Sequence, residues 1–385
     1  MMNQRNDVLT PAFALEQLDF CKTKVDQLRR RFHNTFPGAN TEGLRYPEET
    51  ENFEWTTSFY SGMLWLLWEH TKDDAYLQSL KPQLESFYER VEKPGYIDTH
   101  DLGFLYSLSC GPAMHLLGDE RAKAAFIKAA DYLKARYFPE AGVIQAWGDL
   151  SDPENRGRMI IDCLLNLPLL YQASRITGDP SYKEIAYRHA CQARKYIIRP
   201  DHSTYHTYYM DVETGEPRFG RTAQGYSDTS CWARGQSWGV YGFALSYAHT
   251  GDKSFLKAAC DVLDYFLAHL PEDHICYWDL YFTKGDQPRD SSAAAVVCCG
   301  ILELLRHLPL TDPKREVYQK ALVDMMSSLA QHYTTQDNPE QEGILRHGVY
   351  SIPHNRGIDE CMIWGDYYYM EALYCLLYGP CCYWL

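Results

Sequence analysis

The sequence predicts an all-α protein, an (α/α)6 barrel of six helical hairpins. Helical segments that are apolar all round alternate with segments that carry one apolar stripe, and a short turn motif recurs between them. No stretch shows sustained alternation of apolar and polar residues. Helices apolar on every side are buried, whereas striped helices lie at a surface. Because repeats of tens of residues indicate a solenoid or a closed array, we expect two concentric rings of six helices.

The recurring turn is rich in Thr, Gly and Asp, and it occurs at 71–73, 117–119, 177–180, 250–252 and 311–313. Glycine suits the left-handed position that ends a helix. Aspartate caps the next helix by accepting hydrogen bonds from its free N–H groups, and a proline after the cap suits the first helical position. The motif therefore predicts where each hairpin turns.

The stripe of the surface helices is clear in Phe255, Ala259, Val262 and Phe266, which recur at helical spacing. We predict surface helices near 12–31, 74–92, 120–137, 180–198, 253–269 and 313–332, and buried helices near 58–71, 103–117, 160–177, 233–249, 291–307 and 365–378. Pro112 and Pro168 fall inside buried helices and must kink or interrupt them. Sheet is expected only as short loop hairpins, such as 204–212. With no linker or low-complexity segment, we expect one domain over 1–385.

Charge argues against two classes of partner. The 385 residues hold 37 Lys and Arg against 51 Asp and Glu, a net charge of -14. A nucleic-acid-binding protein carries a basic patch, and an anionic membrane surface attracts clusters of four or more Lys and Arg; neither is present. An acidic small molecule is still a possible ligand, through a few local Arg and His side chains.

The thirteen cysteines are irregularly spaced, without a C-x-x-C pair or a zinc motif. Residues 1–13 lack the apolar core of a secretory signal, and the longest apolar run, 293–302, is too short to span a bilayer. We therefore expect a cytoplasmic protein whose cysteines pack as small hydrophobes. The sequence gives no indication of oligomeric state.

Chemistry-bearing residues cluster at the starts of the buried helices. In a barrel of hairpins all inner helices point the same way, so their N-termini share one mouth. That mouth collects Trp55, His100, Asp101, Asp162, Arg234, Trp238, Asp290, Trp364 and Asp366. An aspartate at a helix start is more often a cap than a catalyst, and an aromatic residue is usually part of the core.

Asp162 is different because its neighbours on both sides are apolar, and a lone buried carboxylate is unfavourable without a partner or a task. Asp101 is the best candidate partner. Two carboxylates in one pocket push their pKa values apart, which leaves one acid protonated and the other ionised near neutral pH.

Two other patterns are weaker. The segment 235–239 reads G-x-S-x-G, but a serine nucleophile elbow needs a preceding strand, and none is predicted there. His202, His206, His347 and His354 lack the spacing of a metal site and are expected to form hydrogen bonds.

At these residues the chain resembles the unsaturated glucuronyl hydrolases, a glycoside hydrolase family with an (α/α)6 barrel. The most specific segments are 100–104, 162–166, 224–239 and 364–368. The resemblance implies hydration of the C4=C5 bond of a 4,5-unsaturated uronic acid at the non-reducing end of lyase-generated oligosaccharides, such as glycosaminoglycan disaccharides. It implies Asp162 as general acid and then general base, with Asp101 assisting. No metal or organic cofactor is implied.

The resemblance also implies substrate-binding residues. Trp55, Trp147 and Trp238 match sugar-stacking positions, whereas His100, His206, Gln224 and Arg234 match polar contacts to the uronate. Ser351, His354 and Arg356 fall in the loop where some family members hold sulfate on the adjacent sugar, although the residue combination here is different.

Three alternatives remain open at this point. An unsaturated rhamnogalacturonyl hydrolase shares the fold and the hydration chemistry but acts on pectin fragments. An ordinary inverting glycosidase on the same barrel would cleave saturated glycosides. A non-enzymatic helical scaffold would bind partners on an open concave face, and it has no need of carboxylates in an apolar mouth.

Overall fold

The computed structural model describes residues 9–381 and 383–385. Its helices, in chain order, are α1 (Pro11–Arg31), α2 (Thr57–Thr71), α3 (Asp74–Arg90), α4 (Leu102–Ser107), α5 (Cys110–Leu117), α6 (Glu120–Ala135), α7 (Leu167–Thr177), α8 (Pro180–Gln192), α9 (Ala233–Thr250), α10 (Lys253–Ala268), α11 (Ser291–His307), α12 (Lys314–Ser328) and α13 (Ile363–Tyr378). The prediction of one domain over 1–385 includes residues 1–8 and 382, which lie outside the described part, and it stays a prediction.

The inner helices form a closed ring, which confirms the (α/α)6 barrel. Contacts run from α2 to α4, α7, α9, α11 and α13, and from α13 back to α2. Each inner position packs against one outer helix: α3 on α2, α6 on α5, α8 on α7, α10 on α9, α12 on α11 and α1 on α13. The first and last helices of the chain thus pair to complete the ring.

Burial follows the two types of sequence pattern. In α9 every residue from 233 to 246 is buried, whereas α10 buries a stripe that includes Phe255, Ala259, Val262 and Phe266. An inner helix is surrounded by protein, while an outer helix presents its polar side to solvent. The ring positions predicted from apolar periodicity are therefore confirmed.

The turn motif acts as predicted at the helix ends. Gly118 and Gly251 take left-handed backbone angles, with φ of 67° and 71°, and Lys72 takes the same conformation with φ of 56°. Asp119 and Asp252 accept hydrogen bonds from the first N–H groups of α6 and α10. In this way α2, α5, α7 and α9 each turn back to the next outer helix within three residues, whereas residues 308–313 separate α11 from α12.

The prolines interrupt two inner helices, as predicted. The segment expected at 103–117 divides into α4 and α5, with Pro112 in the first turn of α5. The segment expected at 160–177 begins instead with a 3-10 helix, Ile161–Leu165, and α7 starts at Leu167 with Pro168 as its second residue. Asp162 therefore lies on a 3-10 helix and not in the first turn of an α-helix.

Among the described residues, nine short strands lie in the connections: β1 (Phe36–Pro37), β2 (Glu48–Glu49), β3 (Tyr137–Phe138), β4 (Val143–Ile144), β5 (Arg158–Ile160), β6 (Thr207–Met210), β7 (Pro217–Arg221), β8 (Gly348–Ser351) and β9 (Arg356–Glu360). The segment expected as a hairpin at 204–212 contains β6 alone, because its partners are β5 and β7. β5 leads directly into the 3-10 helix that carries Asp162.

Ten of the twelve described cysteines are buried, and Cys191 and Cys375 are half-buried. Their expected packing as small hydrophobes is confirmed. Within 9–381 and 383–385, no helix is long and apolar enough to cross a lipid bilayer.

Candidate active site

A cavity of about 420 Å³ opens at the mouth formed by the inner-helix N-termini and the β5 and β8 connections. It brings together eleven of the twelve residues that the sequence analysis placed in a site. The lining consists of Trp55, His100, Asp101, Trp147, Ile160, Asp162, His206, Ala223, Gln224, Arg234, Tyr350, Ser351, His354 and Arg356.

Asp162 keeps part of its surface open to the cavity, but protein surrounds the rest. Its Oδ1 atom is buried and has no hydrogen-bond partner within the described residues. Burial, and then the nearby charge of Asp101, raise the pKa of Asp162 to about 7. A carboxyl group in this state is poised to give and take a proton near neutral pH.

Asp101 lies just before α4 and is better supplied with donors. Thr99 Oγ1 donates to Asp101 Oδ2 at 2.8 Å, and His100 Nε2 lies 3.4 Å from Asp101 Oδ1. Burial raises the pKa of Asp101 to about 6, while the Thr99 hydrogen bond and the charges of Arg90 and Arg136 oppose the increase. The two pKa values differ, as predicted for carboxylates in one pocket, but both are raised, and that of Asp162 is raised further.

Two of the three histidines that line the cavity are neutral, because burial lowers the pKa of His100 and of His206 to about 3. His206 Nδ1 accepts a hydrogen bond from the Ala223 N–H at 2.9 Å, which places its proton on Nε2. His100 Nδ1 has no partner within the described residues. The two rings supply neutral donors and acceptors to a ligand.

Arg234 reaches the cavity, and both of its Nη atoms already donate hydrogen bonds within the protein. Nη1 donates to Asp290 and to the Val349 carbonyl, and Nη2 donates at 2.8 Å to both Gln224 Oε1 and the Tyr350 carbonyl. The direct contact of Arg234 with the uronate that the resemblance implies stays a prediction, because Arg234 lines the cavity. Arg234 supplies positive charge and fixes Gln224, whose side-chain N–H₂ group is left to meet a ligand.

Two tryptophans form aromatic walls. Trp55 Nε1 donates to Tyr350 Oη at 2.9 Å, and its ring packs 5.2 Å from that of Trp364. Trp147 is 40% exposed, and the Arg158 guanidinium covers one face of its ring at 3.3 Å from the centroid. The exposed surface of Trp147 is suited to the apolar face of a sugar ring.

Trp238 does not line the cavity, so its assignment as a stacking residue is corrected. Its side chain is fully buried in the barrel core, with its ring 5.4 Å from Phe104 and 5.6 Å from Tyr368. A ring closed on all sides supports the floor of the site and cannot stack on a ligand.

The β8–β9 hairpin carries the three residues of the implied sulfate loop. Ser351 Oγ and His354 Nδ1 share a hydrogen bond of 2.8 Å. The Arg356 guanidinium lies 4.1 Å from the Tyr350 ring centroid and 3.8 Å from Glu54 Oε2, with about half of its side chain exposed. All three side chains reach the cavity.

Several candidates from the sequence serve the fold. Asp290 caps α11 and pairs with Arg234, and Asp366 accepts from Tyr46 and from the backbone N–H groups of residues 344 and 345. Ser237, the central residue of the G-x-S-x-G pattern, lies buried inside α9 and donates to a backbone carbonyl. Asp290 and Asp366 are structural, as expected for most helix-start aspartates.

Three lining residues, Ile160, Ala223 and Tyr350, were not predicted from the sequence, and of these Tyr350 makes side-chain contacts with other residues of the site. It stands beside Ser351 on β8 and joins Trp55, Arg234 and Arg356 through its hydroxyl, carbonyl and ring. A tyrosine in a short strand gives no signal of its own, because its role depends on Trp55 and Arg234, which are distant in sequence, as well as on Arg356 of the paired strand.

Comparison with known proteins agrees with this geometry. Residues 26–249 match Glycosyl Hydrolase Family 88. The unsaturated chondroitin disaccharide hydrolase of Streptococcus pneumoniae (strain ATCC BAA-255 / R6) is 48% identical over 343 residues, which cover 89% of this chain and 86% of that protein. The unsaturated glucuronyl hydrolase of Bacillus sp. (strain GL1) is 43% identical over 358 residues, covering 92% and 94%.

Solved structures are similar over nearly the whole chain. Unsaturated glucuronyl hydrolase from Streptococcus agalactiae superposes with a TM-score of 0.95 at 42% identity, covering 99% of this chain and 96% of that one. An aspartate-to-asparagine mutant of the Streptococcus agalactiae enzyme, complexed with dGlcA-GalNAc6S, superposes with a TM-score of 0.88 at 39% identity, covering 99% and 95%.

Proposed function

The chain belongs to Glycosyl Hydrolase Family 88 and is a glycosidase, and on this premise we propose that it releases the 4,5-unsaturated uronic acid from lyase-generated oligosaccharides by hydrating the C4=C5 bond. The observation that carries the proposal is the carboxylate pair in one cavity. Asp162 has the higher pKa of the two and a buried Oδ1 without a hydrogen-bond partner among the described residues, whereas Asp101 ionises at lower pH because hydrogen bonds and nearby arginines oppose the effect of burial.

Asp162 acts first as general acid and then as general base. It delivers its proton to C4 of the unsaturated ring, and the ionised carboxylate then takes a proton from the water whose oxygen bonds to C5. The product at C5 is a hemiketal. Its ring C5–O bond opens, and the hemiacetal left at C1 releases the neighbouring sugar together with a keto-uronate. One water molecule is consumed, and Asp162 ends with its proton restored.

Asp101 assists from the other side of the pair. Its negative charge favours the protonated form of Asp162 before the reaction, and its oxygens accept hydrogen bonds from the water or from sugar hydroxyls. This scheme differs from that of an ordinary glycosidase, in which two carboxyl groups act at the glycosidic oxygen and the anomeric carbon.

The anionic substrate is recognised by neutral donors beside a buried positive charge. The Gln224 N–H₂ group and His206 Nε2–H donate to the uronate, while Arg234 compensates its charge from behind. Trp55 and Trp147 bound the sugar on its apolar faces. His354 and Arg356 are positioned for a sulfate on the adjacent sugar, since both line the cavity on the β8–β9 hairpin.

The proposed substrates are glycosaminoglycan-type unsaturated disaccharides. The two relatives described above are an unsaturated chondroitin disaccharide hydrolase and an unsaturated glucuronyl hydrolase. Nothing in the cavity favours the rhamnogalacturonyl alternative. We propose that the enzyme works in the cytoplasm, a location supported by the many buried cysteines and by the absence of a membrane-spanning helix in the described residues.

The substrate's own chromophore tests the proposal. The C4=C5 bond conjugated to the carboxylate absorbs in the near ultraviolet, and hydration removes this absorbance. We expect purified enzyme to bleach an unsaturated chondroitin disaccharide, to leave the saturated disaccharide intact, and to act weakly on an unsaturated rhamnogalacturonan disaccharide. Cleavage of the saturated sugar, or preference for the pectin fragment, would overturn the proposed reaction or substrate respectively.

A further inference from the structure

The two sequence segments that carry the paired aspartates touch each other at their far ends. Asp101 belongs to the segment 100–104 and Asp162 to the segment 162–166. The Phe104 N–H donates to Asn166 Oδ1 at 2.7 Å. A β-carbon on Gly103 would lie 2.2 Å from Asn166 Cα, so only glycine lets α4 approach Asn166 this closely. The contact fixes the two segments relative to each other.

The amide nitrogen of Asn166 connects to both aspartates. Nδ2 donates to the Asp162 backbone carbonyl at 3.2 Å, and the side chain also forms a hydrogen bond to the Asp101 carboxylate that lowers the pKa of Asp101. Asn166 itself is fully buried. One side chain therefore contacts α4, the 3-10 helix and one member of the carboxylate pair.

The donors around the pair are unequal. Asp101 accepts from Thr99 and from Asn166, whereas Asp162 Oδ1 accepts from no described residue. Charged and titratable groups also face the pair from the surrounding elements. Asp101 is faced by Arg90, Arg136 and His100. The charges of Asp101 and Arg234 influence the pKa of Asp162, and Asp162 in turn raises the pKa values of Cys163 and Tyr368.

We propose that Asn166 is a positioning residue that holds the two carboxylates at a fixed spacing and, by donating to Asp101 and not to the Asp162 carboxyl group, selects Asp101 as the anion and Asp162 as the acid. This role rests on the proposed function, in which only Asp162 transfers the proton. Arg90 and Arg136 act on Asp101 through charge, but Asn166 is the group that contacts both segments.

Two variants separate this role from a purely structural one. Asn166→Asp keeps the size and the acceptor for the Phe104 N–H but replaces the donor with a third carboxyl group. The charge of the new carboxylate raises the pKa values of Asp101 and Asp162, so both limbs of the pH–rate profile shift to higher pH by about one unit. Asn166→Ala removes the donor without adding charge. Only the acid limb of the profile, which follows the ionisation of Asp101, therefore shifts to higher pH. In both variants kcat falls by on the order of tenfold.

The matched control is Gln172→Glu on α7. Gln172 is also fully buried, its Oε1 lies 2.8 Å from His115 Nε2, and its Nε2 donates to the Tyr383 carbonyl at 2.9 Å. This substitution changes a buried amide in the same way but far from the cavity. We expect its melting temperature to fall by a similar amount to that of Asn166→Asp, while both limbs of its pH–rate profile stay at the wild-type positions.

The measurement is kcat and kcat/KM for the unsaturated chondroitin disaccharide from pH 4.5 to 9, with melting temperatures recorded alongside. If both Asn166 variants lose activity with limbs at the wild-type positions, Asn166 is only structural and the inference is overturned. If the wild-type enzyme itself does not bleach the substrate, the proposed function fails instead, so the two failures are distinguishable. Asn166→Ala adds no charge and keeps the test valid if Asn166→Asp does not fold.

Discussion

Replacing the proposed acid should inactivate the enzyme and at the same time stabilise its fold. In Asp162→Asn the amide cannot transfer a proton to C4, so turnover falls by orders of magnitude. The wild-type carboxyl group has a folded-state pKa of about 7 against an ordinary value of 3.8. A raised carboxyl pKa means that the folded protein loses stability as the pH rises between these two values, because the buried group resists ionisation. Asparagine carries no such penalty.

The size of the gain follows from the two pKa values. A difference from 3.8 to about 7 corresponds to about 4 kcal/mol above pH 7, at about 1.4 kcal/mol for each unit. At pH 5 the difference is about 2 kcal/mol, and below pH 3.8 it disappears. For a chain of 385 residues, about 4 kcal/mol corresponds to about 5 °C in melting temperature.

Thermal unfolding of both proteins at pH 4, 5 and 8 measures this gain. Asp252→Asn is the matched control, because Asp252 caps α10 at the surface and its pKa is lowered by hydrogen bonds from residue 254. That variant should gain no stability at any of these pH values. If Asp162→Asn is no more stable than wild type at pH 8, or gains as much at pH 4 as at pH 8, the neutral form of Asp162 is not what the fold favours.

Three further outcomes are expected. The pH–rate profile of the wild type should be bell-shaped, with its maximum near pH 6.5, because Asp101 must be ionised and Asp162 protonated. The rate should fall about sevenfold by pH 5 and by pH 8. A flat profile in steady-state assays would contradict this assignment. Trp147→Ala should raise KM for the disaccharide about tenfold, whereas Trp238→Phe should leave KM within about twofold, since only the first ring is open to the cavity; equal effects would return Trp238 to the binding surface. Arg356→Gln should lower kcat/KM about tenfold for a 6-sulfated unsaturated disaccharide and less than about twofold for the unsulfated one; a parallel loss on both substrates would exclude sulfate recognition.

The barrel could be predicted because its signal is local. Each inner helix is apolar on every side and each outer helix has one stripe, so the order of the helices along the chain already contains the two rings. The breaks were harder to place. Pro112 predicted an interruption of the helix, but α4 already ends at Ser107. Tertiary packing decides which turn near a proline loses its helical conformation.

The residues of the candidate site could largely be predicted from the sequence, but their hydrogen bonds could not. Eleven of the twelve predicted residues meet in one cavity, since the starts of the inner helices converge. The partners of Arg234 include carbonyls of residues 349 and 350, more than a hundred positions away, and no sequence pattern reports such a contact. Trp238 was placed wrongly because its position on α9 was known while its direction relative to the mouth was not.

The central claim is that Asp162 still holds its proton at pH values where Asp101 has already released its own. Carbon-13 NMR of enzyme labelled at the aspartate carboxyl carbon follows both groups directly, with Asp162→Asn and Asp101→Asn identifying the two resonances. The resonance lost in Asp162→Asn should titrate near pH 7, and the resonance lost in Asp101→Asn should titrate near pH 6. An Asp162 resonance that titrates near its ordinary value of 3.8, fully ionised at pH 6, would contradict the account.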